Sequence, residues 1–283
     1  MSPPSSRQAK RTVLTLVILS AALAICAIAF HRQHNRAVEQ AQEVLADAVA
    51  VRAIKSAHWL NSQEATFRDF AAQVTPIKAL DPSSALELTA QLRAMAPAFT
   101  DLAVINDTGR TVWGGATTGS LHESFPWFRD AAGPARFSGG IYPAPDAAPR
   151  VLFSRRLTKE GRGWHLRGEA DAAALATFMG KTEDAGWVLA PEQGAVMPLA
   201  GLVPGPALRL RLGEFCRGPL PAALRLDNGW LVAAAGIPER KTALAVFTPE
   251  PSAQNKNIGL GLTILAAVCL AYAGFIRARA LKG

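Results

Sequence analysis

The chain is poor in cysteine, and this excludes a disulfide framework. Of its three cysteines, Cys26 and Cys269 lie inside long apolar runs, and only Cys216 lies between the runs. The region between the runs therefore cannot form an internal disulfide. We expect Cys216 to be a small, buried apolar side chain. The alternative is a disulfide to another molecule.

The chain also lacks the motifs of the common enzyme classes. It has no Gly-x-Ser-x-Gly elbow, no His-Glu-x-x-His helix, no phosphate-binding glycine loop and no spaced set of Cys and His ligands. The pair His122-Glu123 is a candidate for part of a metal site, but no third ligand stands near it in sequence. We therefore predict that the protein is not an enzyme, and we predict no cofactor and no bound metal.

The basic net charge of +8 is concentrated at the two ends of the chain. Six of the 30 Lys and Arg residues flank the apolar runs, which leaves 24 to set against 22 Asp and Glu, a balance of about +2. No cluster of Lys and Arg with interleaved aromatic residues occurs, although such clusters are typical of nucleic-acid binding. We predict no nucleic-acid partner.

Two uncharged apolar runs stand near the ends of the chain, Thr12–Phe30 and Ile258–Phe275. As helices, both would be long enough to cross a hydrocarbon core of about 30 Å. Basic residues precede the first run and follow the second, so the positive-inside rule places both termini in the cytoplasm. We expect a bacterial inner-membrane protein whose main domain lies in the periplasm. The alternative for the first run is a signal peptide cleaved after Ala27-Ile28-Ala29.

The segment that follows the first run predicts a long helix. Residues 35–74 contain neither proline nor glycine. Val38, Ala41, Leu45 and Ala48 recur at helical spacing and form one apolar face. We interpret this face as a stalk seam between two copies of the chain, so we expect a homodimer. In the second apolar run, Gly259, Thr263, Ala267 and Ala271 form a face of small residues suited to helix packing.

The rest of the middle region predicts alternating hairpins and helices. A helix capped by Asp81 precedes a hairpin of residues 101–106 and 110–113, and a second hairpin joins residues 150–157 to residues 163–168. A helix at residues 170–179 follows. A smaller unit repeats this scheme with strands near residues 186–190, 195–197, 229–235 and 242–247, while residues 198–221 give no firm assignment. The order predicts an α+β fold.

These features resemble the double-Cache, PAS-like extracellular sensor domains of bacterial chemoreceptors, sensor kinases and diguanylate cyclases. The resemblance covers roughly residues 31–256. It depends on the two apolar runs, the long helix and three local patterns. The patterns are Phe99-Thr-Asp-Leu-Ala-Val-Ile-Asn-Asp-Thr-Gly109, Trp127-Phe128, and Arg150-Val-Leu-Phe-Ser-Arg155 followed by Gly163-Trp164. No output domain of the kinase or cyclase type is present in the sequence.

The resemblance implies a ligand pocket between a loop and a strand of the first unit. Its candidate residues are Trp127, Arg129, Tyr142, Asp146 and Ser154. Structural alternatives stand beside them, because Trp127 would also suit packing on the sheet and Asp146 a solvated turn. Amino-acid sensors of this family are expected to carry Arg two residues before the Trp, where this chain has Phe125. The expected ligand is therefore a small molecule that is not a typical amino acid.

The sequence thus predicts a long N-terminal stalk helix and two PAS-like antiparallel-sheet units between two transmembrane helices. The predicted segments are a cytoplasmic N-terminus (1–11), a transmembrane helix (12–30), a stalk helix (31–80), a membrane-distal unit (81–180), a smaller proximal unit (181–250), a linker with a transmembrane helix (251–276) and a cytoplasmic tail (277–283). The leading hypothesis is a membrane-anchored sensor that signals through a separate kinase, cyclase or receptor. The alternative is a scaffold or assembly subunit of a cell-envelope complex, whose fold binds protein.

Overall fold

The fold comprises a very long N-terminal helix and two antiparallel sheets, which confirms the predicted α+β architecture. The computed structural model describes residues 6–114, 128, 137–143, 148–180, 184–192, 195–226, 229–251 and 254–280. The described chain divides into two compact units. One contains the chain through Glu43 together with the segment from Pro249 onward, and the other is Val44–Thr248.

The first helix, α1, runs from Ser6 to Gln73 without interruption. It ends before Thr75-Pro76, and the Thr75 hydroxyl accepts a hydrogen bond from the Lys78 N–H at 3.3 Å to cap a new short helix, α2 (Pro76–Leu80). The predicted stalk helix of residues 31–80 is therefore wrong at its distal end. A proline is tolerated at the first position of a helix but not in the interior, so Pro76 starts a helix instead of continuing one.

A short 3₁₀ turn (Pro82–Ser84) leads into α3 (Ala85–Met95). As predicted, the Asp81 side chain caps this segment by accepting from the Ser83 N–H at 3.0 Å. Leu88 and Leu92 are the buried residues of the helix. Met95, the last residue of the helix, is 44% exposed.

The first sheet has five antiparallel strands in the order β2-β1-β5-β4-β3. Their bounds are β1 (Phe99–Asn106), β2 (Thr111–Gly114), β3 (Phe137–Pro143), β4 (Pro149–Lys159) and β5 (Arg162–Ala170). Helix α4 (Ala172–Met179) follows, capped by the Asp171 side chain. Both predicted hairpins are confirmed. The edge strand β3 was not predicted, because Gly139 and Gly140 weaken its strand pattern.

The second sheet repeats the first with the order β7-β6-β10-β9-β8. Its elements are β6 (Gly186–Pro191), β7 (Met197–Gly201), α5 (Pro206–Cys216), β8 (Ala222–Leu226), β9 (Trp230–Gly236) and β10 (Thr242–Pro249). This sheet has five strands, as many as the first. The sequence predicted four strands for this unit. Helix α5 lies in the stretch that gave no firm assignment.

One continuous core joins α1 to the inner faces of both sheets. In the first sheet it is built around the aromatic rings of Phe67, Phe99 and Phe153, whose centroids lie 5.7–6.1 Å apart. Gly168 on β5 makes this packing possible, because a Cβ there would lie 2.6 Å from the Phe67 ring. A buried aromatic cluster of this kind stabilises the sheet against the helix.

The outer face of the second sheet forms a separate apolar core with α5. Leu208 and Leu212 of the helix are buried there against Val188, Val232 and Phe247. Cys216 is half-buried beside this core, in line with the predicted apolar role. Burial raises the pKa of its thiol to about 12, so a reactive thiolate is disfavoured.

Arg240, in the turn between β9 and β10, joins α1 and the first sheet. Its guanidinium donates to Asn61 Oδ1 and Glu64 Oε2, each at 2.7 Å, and to the Gly139 carbonyl of β3 at 3.0 Å. The side chains of Arg240 and Glu64 are 13% and 20% exposed. The second sheet is thus hydrogen-bonded to an edge strand of the first.

In the other unit, the start of α1 packs against the last helix, α6 (Gln254–Ala280). The Ser20 hydroxyl donates to the Ala266 carbonyl at 3.0 Å, and a Cβ on Gly259 would lie 3.3 Å from the Ala27 carbonyl. His34 Nε2 lies 3.8 Å from Glu250 Oε2. Residue numbers rise along one helix as they fall along the other, so the pair is antiparallel.

The contacts of this helix pair recur every seven residues. Ser20, Ala27 and His34 are buried on α1, as are Gly259, Ala266 and Ala273 on α6. A seven-residue repeat is typical of left-handed helix packing. Of the predicted small-residue face, Gly259 takes part in this pairing, while Thr263, Ala267 and Ala271 are exposed, so their role in helix packing stays a prediction.

The apolar face of α1 that was predicted as the stalk seam (Val38, Ala41, Leu45 and Ala48) is also largely covered within its own chain. Val38 is only 4% exposed, and Leu45 is half-buried against the main core. An interpretation of this stripe as an open seam is therefore wrong. The large apolar side chains exposed on the neighbouring part of α1 are Val44, Val51 and Ile54, which are 52–68% exposed.

Candidate ligand-binding face

The outer face of the first sheet is polar, and strand alternation places its side chains. On β5, Leu166 belongs to the core, while Gly168 faces the Phe67 ring. His165, Arg167 and Glu169 therefore project from the opposite face, since successive strand residues alternate. We call this outer surface the candidate face.

Pairing between strands arranges the candidate face in rows. Ser154 on β4 is opposite Arg167 on β5, and Arg167 is opposite Ala103 on β1. In the next row, Arg156 is opposite His165. These partners point the same way from adjacent strands, so their Cβ atoms lie about 5 Å apart.

Apolar side chains cover part of the candidate face. Ile105, Leu152 and Phe128 form a buried cluster with Tyr142 packed against it. The Phe128 ring lies 4.7 Å from the His165 ring, centroid to centroid, and only 7% of Phe128 is exposed. Tyr142 is half-buried at the β3 edge, where it pairs with Arg150.

Ion pairs occupy another part of the candidate face. Arg167 Nη2 donates to Asp101 Oδ2 at 3.0 Å and lies 3.8 Å from Glu169 Oε2. Arg150 Nη1 lies 3.5 Å from the other Glu169 oxygen. The Arg167 side chain is only 8% exposed. A buried guanidinium held by two carboxylates fixes the geometry of this row.

Ser154 Oγ and His165 Nδ1 are buried on the candidate face and have no hydrogen-bond partner among the described residues. Ser154 is 1% exposed and His165 is 3% exposed. Burial, assisted by the charge of Arg156, lowers the pKa of His165 to about 4, with Asp107 acting in the opposite direction. The imidazole is therefore neutral at neutral pH.

The two sheets differ at this outer face. In the second sheet, apolar side chains and α5 fill it. In the first sheet, the side chains buried on this face include the charged Arg167 and two polar residues, Ser154 and His165, each with an atom that makes no hydrogen bond among the described residues. Buried polar groups without partners are costly, and native structures usually explain them by water, an ion or a ligand.

The structure places two of the five predicted site residues on the candidate face, namely Tyr142 and Ser154. Trp127, Arg129 and Asp146 lie outside the described residues, as do Phe125 and His122. The predicted pocket between loop and strand therefore stays a prediction.

Sequence reasoning missed the polar side chains of β5 and their partners. The signal was present as an alternation, since His165, Arg167 and Glu169 occupy every second position and the residues between them, Leu166 and Gly168, are apolar. Asp101 carried no comparable signal, because its role depends on pairing with a strand some 66 residues away. Within the described ranges, no group of three or more His, Cys, Asp or Glu residues is placed to hold a metal ion.

Comparisons with known proteins identify the fold. The ligand-binding domain of Mlp24, solved with asparagine, is 15% identical, with a TM-score of 0.51, and covers 80% of this chain and 98% of that one. The extracellular domain of rpHK1S-Z16, a putative histidine kinase by its description, is 13% identical, with a TM-score of 0.52. The match covers 75% of this chain and 95% of that one.

The ligand-binding domain of the Pseudomonas aeruginosa amino-acid chemoreceptor PctC, solved with GABA, is 15% identical, with a TM-score of 0.49. The match covers 72% of this chain and 99% of that one. No protein-family model matches the chain, and no curated protein sequence matches it either. The likeness to Mlp24 and rpHK1S-Z16 shows that the chain has the Cache/PAS-like fold of sensor domains, as the sequence resemblance implied.

Proposed function

We propose that this protein is a membrane-anchored, periplasmic sensor that binds a small ligand on the candidate face of its first sheet. The observation that carries the proposal is the contrast between the two sheets. The apolar outer face of the second sheet is already packed, whereas the first sheet buries Ser154, His165 and Arg167 at the same place. A fold shared with ligand-binding sensor domains supports this assignment.

Membrane anchoring is supported by α1 and α6. In the described part of the chain, these two helices are long and apolar enough to cross a membrane. Basic residues at both outer ends favour cytoplasmic termini in the bacterial inner membrane. Reporter fusions should place residue 150 outside the cytoplasm and residue 283 inside. An external C-terminus would contradict this topology.

The protein would act without catalysis of its own. The ligand signal would pass to a separate membrane kinase, cyclase or receptor. The order of the chain suits this role, because β10 ends at Pro249 and α6 begins at Gln254. A change in the sheet would reach the helix through four residues.

The ligand class we propose excludes the common L-amino acids. Their carboxylate would need the arginine that Phe125 replaces, and Phe128 offers no hydroxyl. Mlp24 and PctC were solved with asparagine and GABA. At such low sequence identity, the likeness to these two domains concerns the fold alone and does not identify the ligand of this protein.

Thermal unfolding of the full-length protein in lipid nanodiscs tests the proposal. A library of small polar metabolites should contain at least one compound that raises the melting temperature, since a ligand at 100 times its Kd adds about 2.7 kcal/mol. Tyr142→Ala should reduce the shift, whereas Tyr272→Ala, in an exposed position on α6, should keep it. A library without any stabilising compound would contradict the sensor function, and a shift with common amino acids would contradict the ligand class.

A scaffold function is favoured by a different observation. A groove between α1, α2 and α3 is lined by apolar side chains and by three polar ones: Phe70, Val74, Leu88, Ala94, Met95, Gln73, Lys78 and Gln91. Beside it, Ile77 and Leu86 are 71% and 86% exposed. Such a patch suits a protein partner. Ile77→Glu would weaken recovery of a partner after crosslinking in cells if the scaffold function holds, and would leave ligand binding unchanged.

A further inference from the structure

An open cavity of about 580 Å³ lies on one face of α1, where the first apolar run ends. The part of the cavity nearer the N-terminus is apolar and the other part is polar and basic, with the lining residues Ile25, Ile28, Ala29, Arg32, Gln33 and Arg36. These positions recur mainly at intervals of three and four residues, so they share one side of the helix. The cavity therefore changes from apolar to basic along the helix axis.

The cavity faces away from the C-terminal segment that packs on α1. Ala27 and His34 are buried on the side of α1 that meets this segment. Ile25 and Arg32 each stand two positions before one of these residues, and positions two apart lie about 160° apart around a helix axis. Ile25 and Ile28 are accordingly 68% and 55% exposed. In a membrane, this face of α1 meets lipid.

The two arginines of the cavity lie at the depth of lipid headgroups. The apolar run ends at Phe30, so Arg32 and Arg36 come about 3 Å and about 9 Å beyond it along the helix. The headgroup region adds about 5–8 Å to each side of the hydrocarbon core. Side chains of an α-helix point toward its N-terminus, which for α1 is the direction of the membrane. Both guanidinium groups can therefore reach the level of the lipid phosphates.

The charges of these two arginines are not compensated by nearby acids. Arg32 and Arg36 are exposed, and within the described part of the chain neither forms an ion pair. They stand one turn apart, and like charges at this spacing repel. The lining of the cavity contains no acid, and the next acids along α1, Glu39 and Glu43, come further from the membrane. A phosphate group between the arginines would relieve the repulsion, because its oxygens suit guanidinium donors.

We propose that this cavity binds an anionic phospholipid of the periplasmic leaflet. Its phosphate would accept hydrogen bonds from Arg32 and Arg36, and an acyl chain would lie along Ile25 and Ile28. A zwitterionic lipid suits the site less, because the cavity lining has no carboxylate for an ammonium group. The inference rests on the proposed membrane anchoring and goes beyond ligand sensing, since a bound lipid would fix the depth and rotation of α1.

Photo-crosslinking of the full-length protein in nanodiscs tests the site. The probes are photoreactive phosphatidylglycerol and photoreactive phosphatidylethanolamine with the same acyl chains, each added as a trace. Mass spectrometry locates the crosslinks after digestion with a protease that does not cut at arginine. An arginine near the surface contributes about a fivefold preference for anionic lipid, so residues 25–36 should crosslink at least about fivefold more phosphatidylglycerol than phosphatidylethanolamine.

Substitutions at exposed positions test the arginines and should leave the melting temperature unchanged. Arg32→Gln and Arg36→Gln should each reduce the phosphatidylglycerol crosslink about fivefold. Arg68→Gln is the matched control, because it removes the same charge from an exposed position of α1, and it should keep the crosslink. Arg36→Gln combined with Gln40→Arg keeps the net charge but moves it to about 15 Å beyond Phe30. This relocated variant should lose the crosslink as Arg36→Gln does.

The outcomes separate the lipid site from the other proposals. Equal crosslinking of the two lipids, or full crosslinking in both single variants, would overturn the site. Full crosslinking in the relocated variant would also overturn it, because the attraction would then depend on net charge alone. Efficient disulfide formation between two copies through Ile28→Cys, without the natural cysteines, would assign the cavity to a second copy and overturn the lipid site. If the reporter fusions place residue 150 outside the cytoplasm while the lipid site fails, the membrane anchoring stands.

Discussion

At the scale of single residues, His165 connects the candidate face to the stability of the domain. The side chain is 3% exposed, and its ring packs against Phe128. Burial is the main reason that its pKa falls to about 4. The folded protein therefore resists protonation of a group that the unfolded chain protonates near pH 6.5.

This difference predicts a pH dependence. Between pH 6.5 and about 4 the unfolded state binds more protons at His165 than the folded state, so lowering the pH through this window favours unfolding. The His165→Phe variant keeps a packed ring at this position. We expect its melting temperature to fall less than that of the natural protein when the pH is lowered through this window. His58→Phe, at an exposed position of α1, is the control and should behave like the natural protein. Equal acid sensitivity in His165→Phe would contradict the buried, neutral state.

At the scale of structural elements, Arg240 is the clearest link between the two sheets. Its three hydrogen bonds reach α1 and the edge strand β3. Tyr142, on the same strand as Gly139, lies against the candidate face. A movement of β3 on ligand binding would therefore reach the β9–β10 turn through one side chain.

Arg240→Ala should destabilise the domain by about 2–3 kcal/mol, because it leaves Glu64 and the Gly139 carbonyl without this donor. Glu64 keeps its hydrogen bond from Arg68 at 2.8 Å, which limits the loss. Urea unfolding, followed by tryptophan fluorescence, measures the effect. Lys241→Ala, one residue away and exposed, should change stability by less than about 0.5 kcal/mol. If the two variants lose equal stability, the Arg240 hydrogen bonds do not join the sheets as described.

The pairing of α1 with α6 predicts a crosslink within one chain. In a background without the natural cysteines, Ser20→Cys combined with Ala266→Cys should form a disulfide efficiently, because the Ser20 hydroxyl already lies 3.0 Å from the Ala266 carbonyl. The control pair, Leu19→Cys with Ala267→Cys, uses exposed positions and should react poorly. Gel mobility before and after reduction measures both. Similar yields for the two pairs would mean that the helices do not pack in this register.

The sequence predicted the elements with strong local signals. Hairpins with clear turns, such as Asp107-Thr-Gly109, are confirmed, as is the Asp81 cap. Strand β3 escaped prediction because its glycines hide the alternation, and β8 because it is an edge strand of only five residues, too short to show a clear pattern. The candidate face was found only in part, since Ser154 and Tyr142 come together with Arg167 and Asp101 through pairings between distant strands.

At the scale of the whole molecule, a dimer remains our proposal, now with a different contact. The exposed apolar residues Val44, Val51 and Ile54 are spaced by seven and three residues, as in a coiled-coil seam. Cysteine at Val51 or Ile54 should crosslink two copies in the membrane. Cysteine at Ala53, which is buried in its own chain, should not. Crosslinking at none of these positions, or equally at all three, would argue against a seam on this face.

A sensor of the proposed kind binds a small molecule on its first sheet and leaves the outer face of the second sheet untouched. Hydrogen-exchange mass spectrometry of the full-length protein, with and without the small-molecule fraction of a bacterial extract, tests this most directly. We predict slower exchange in peptides from β4 and β5, residues 149–170, because a ligand on the candidate face restrains their opening. Peptides from α5 and β8, residues 206–226, should exchange at the same rate in both samples. Unchanged exchange in residues 149–170, or protection confined to residues 206–226, would contradict the sensor account.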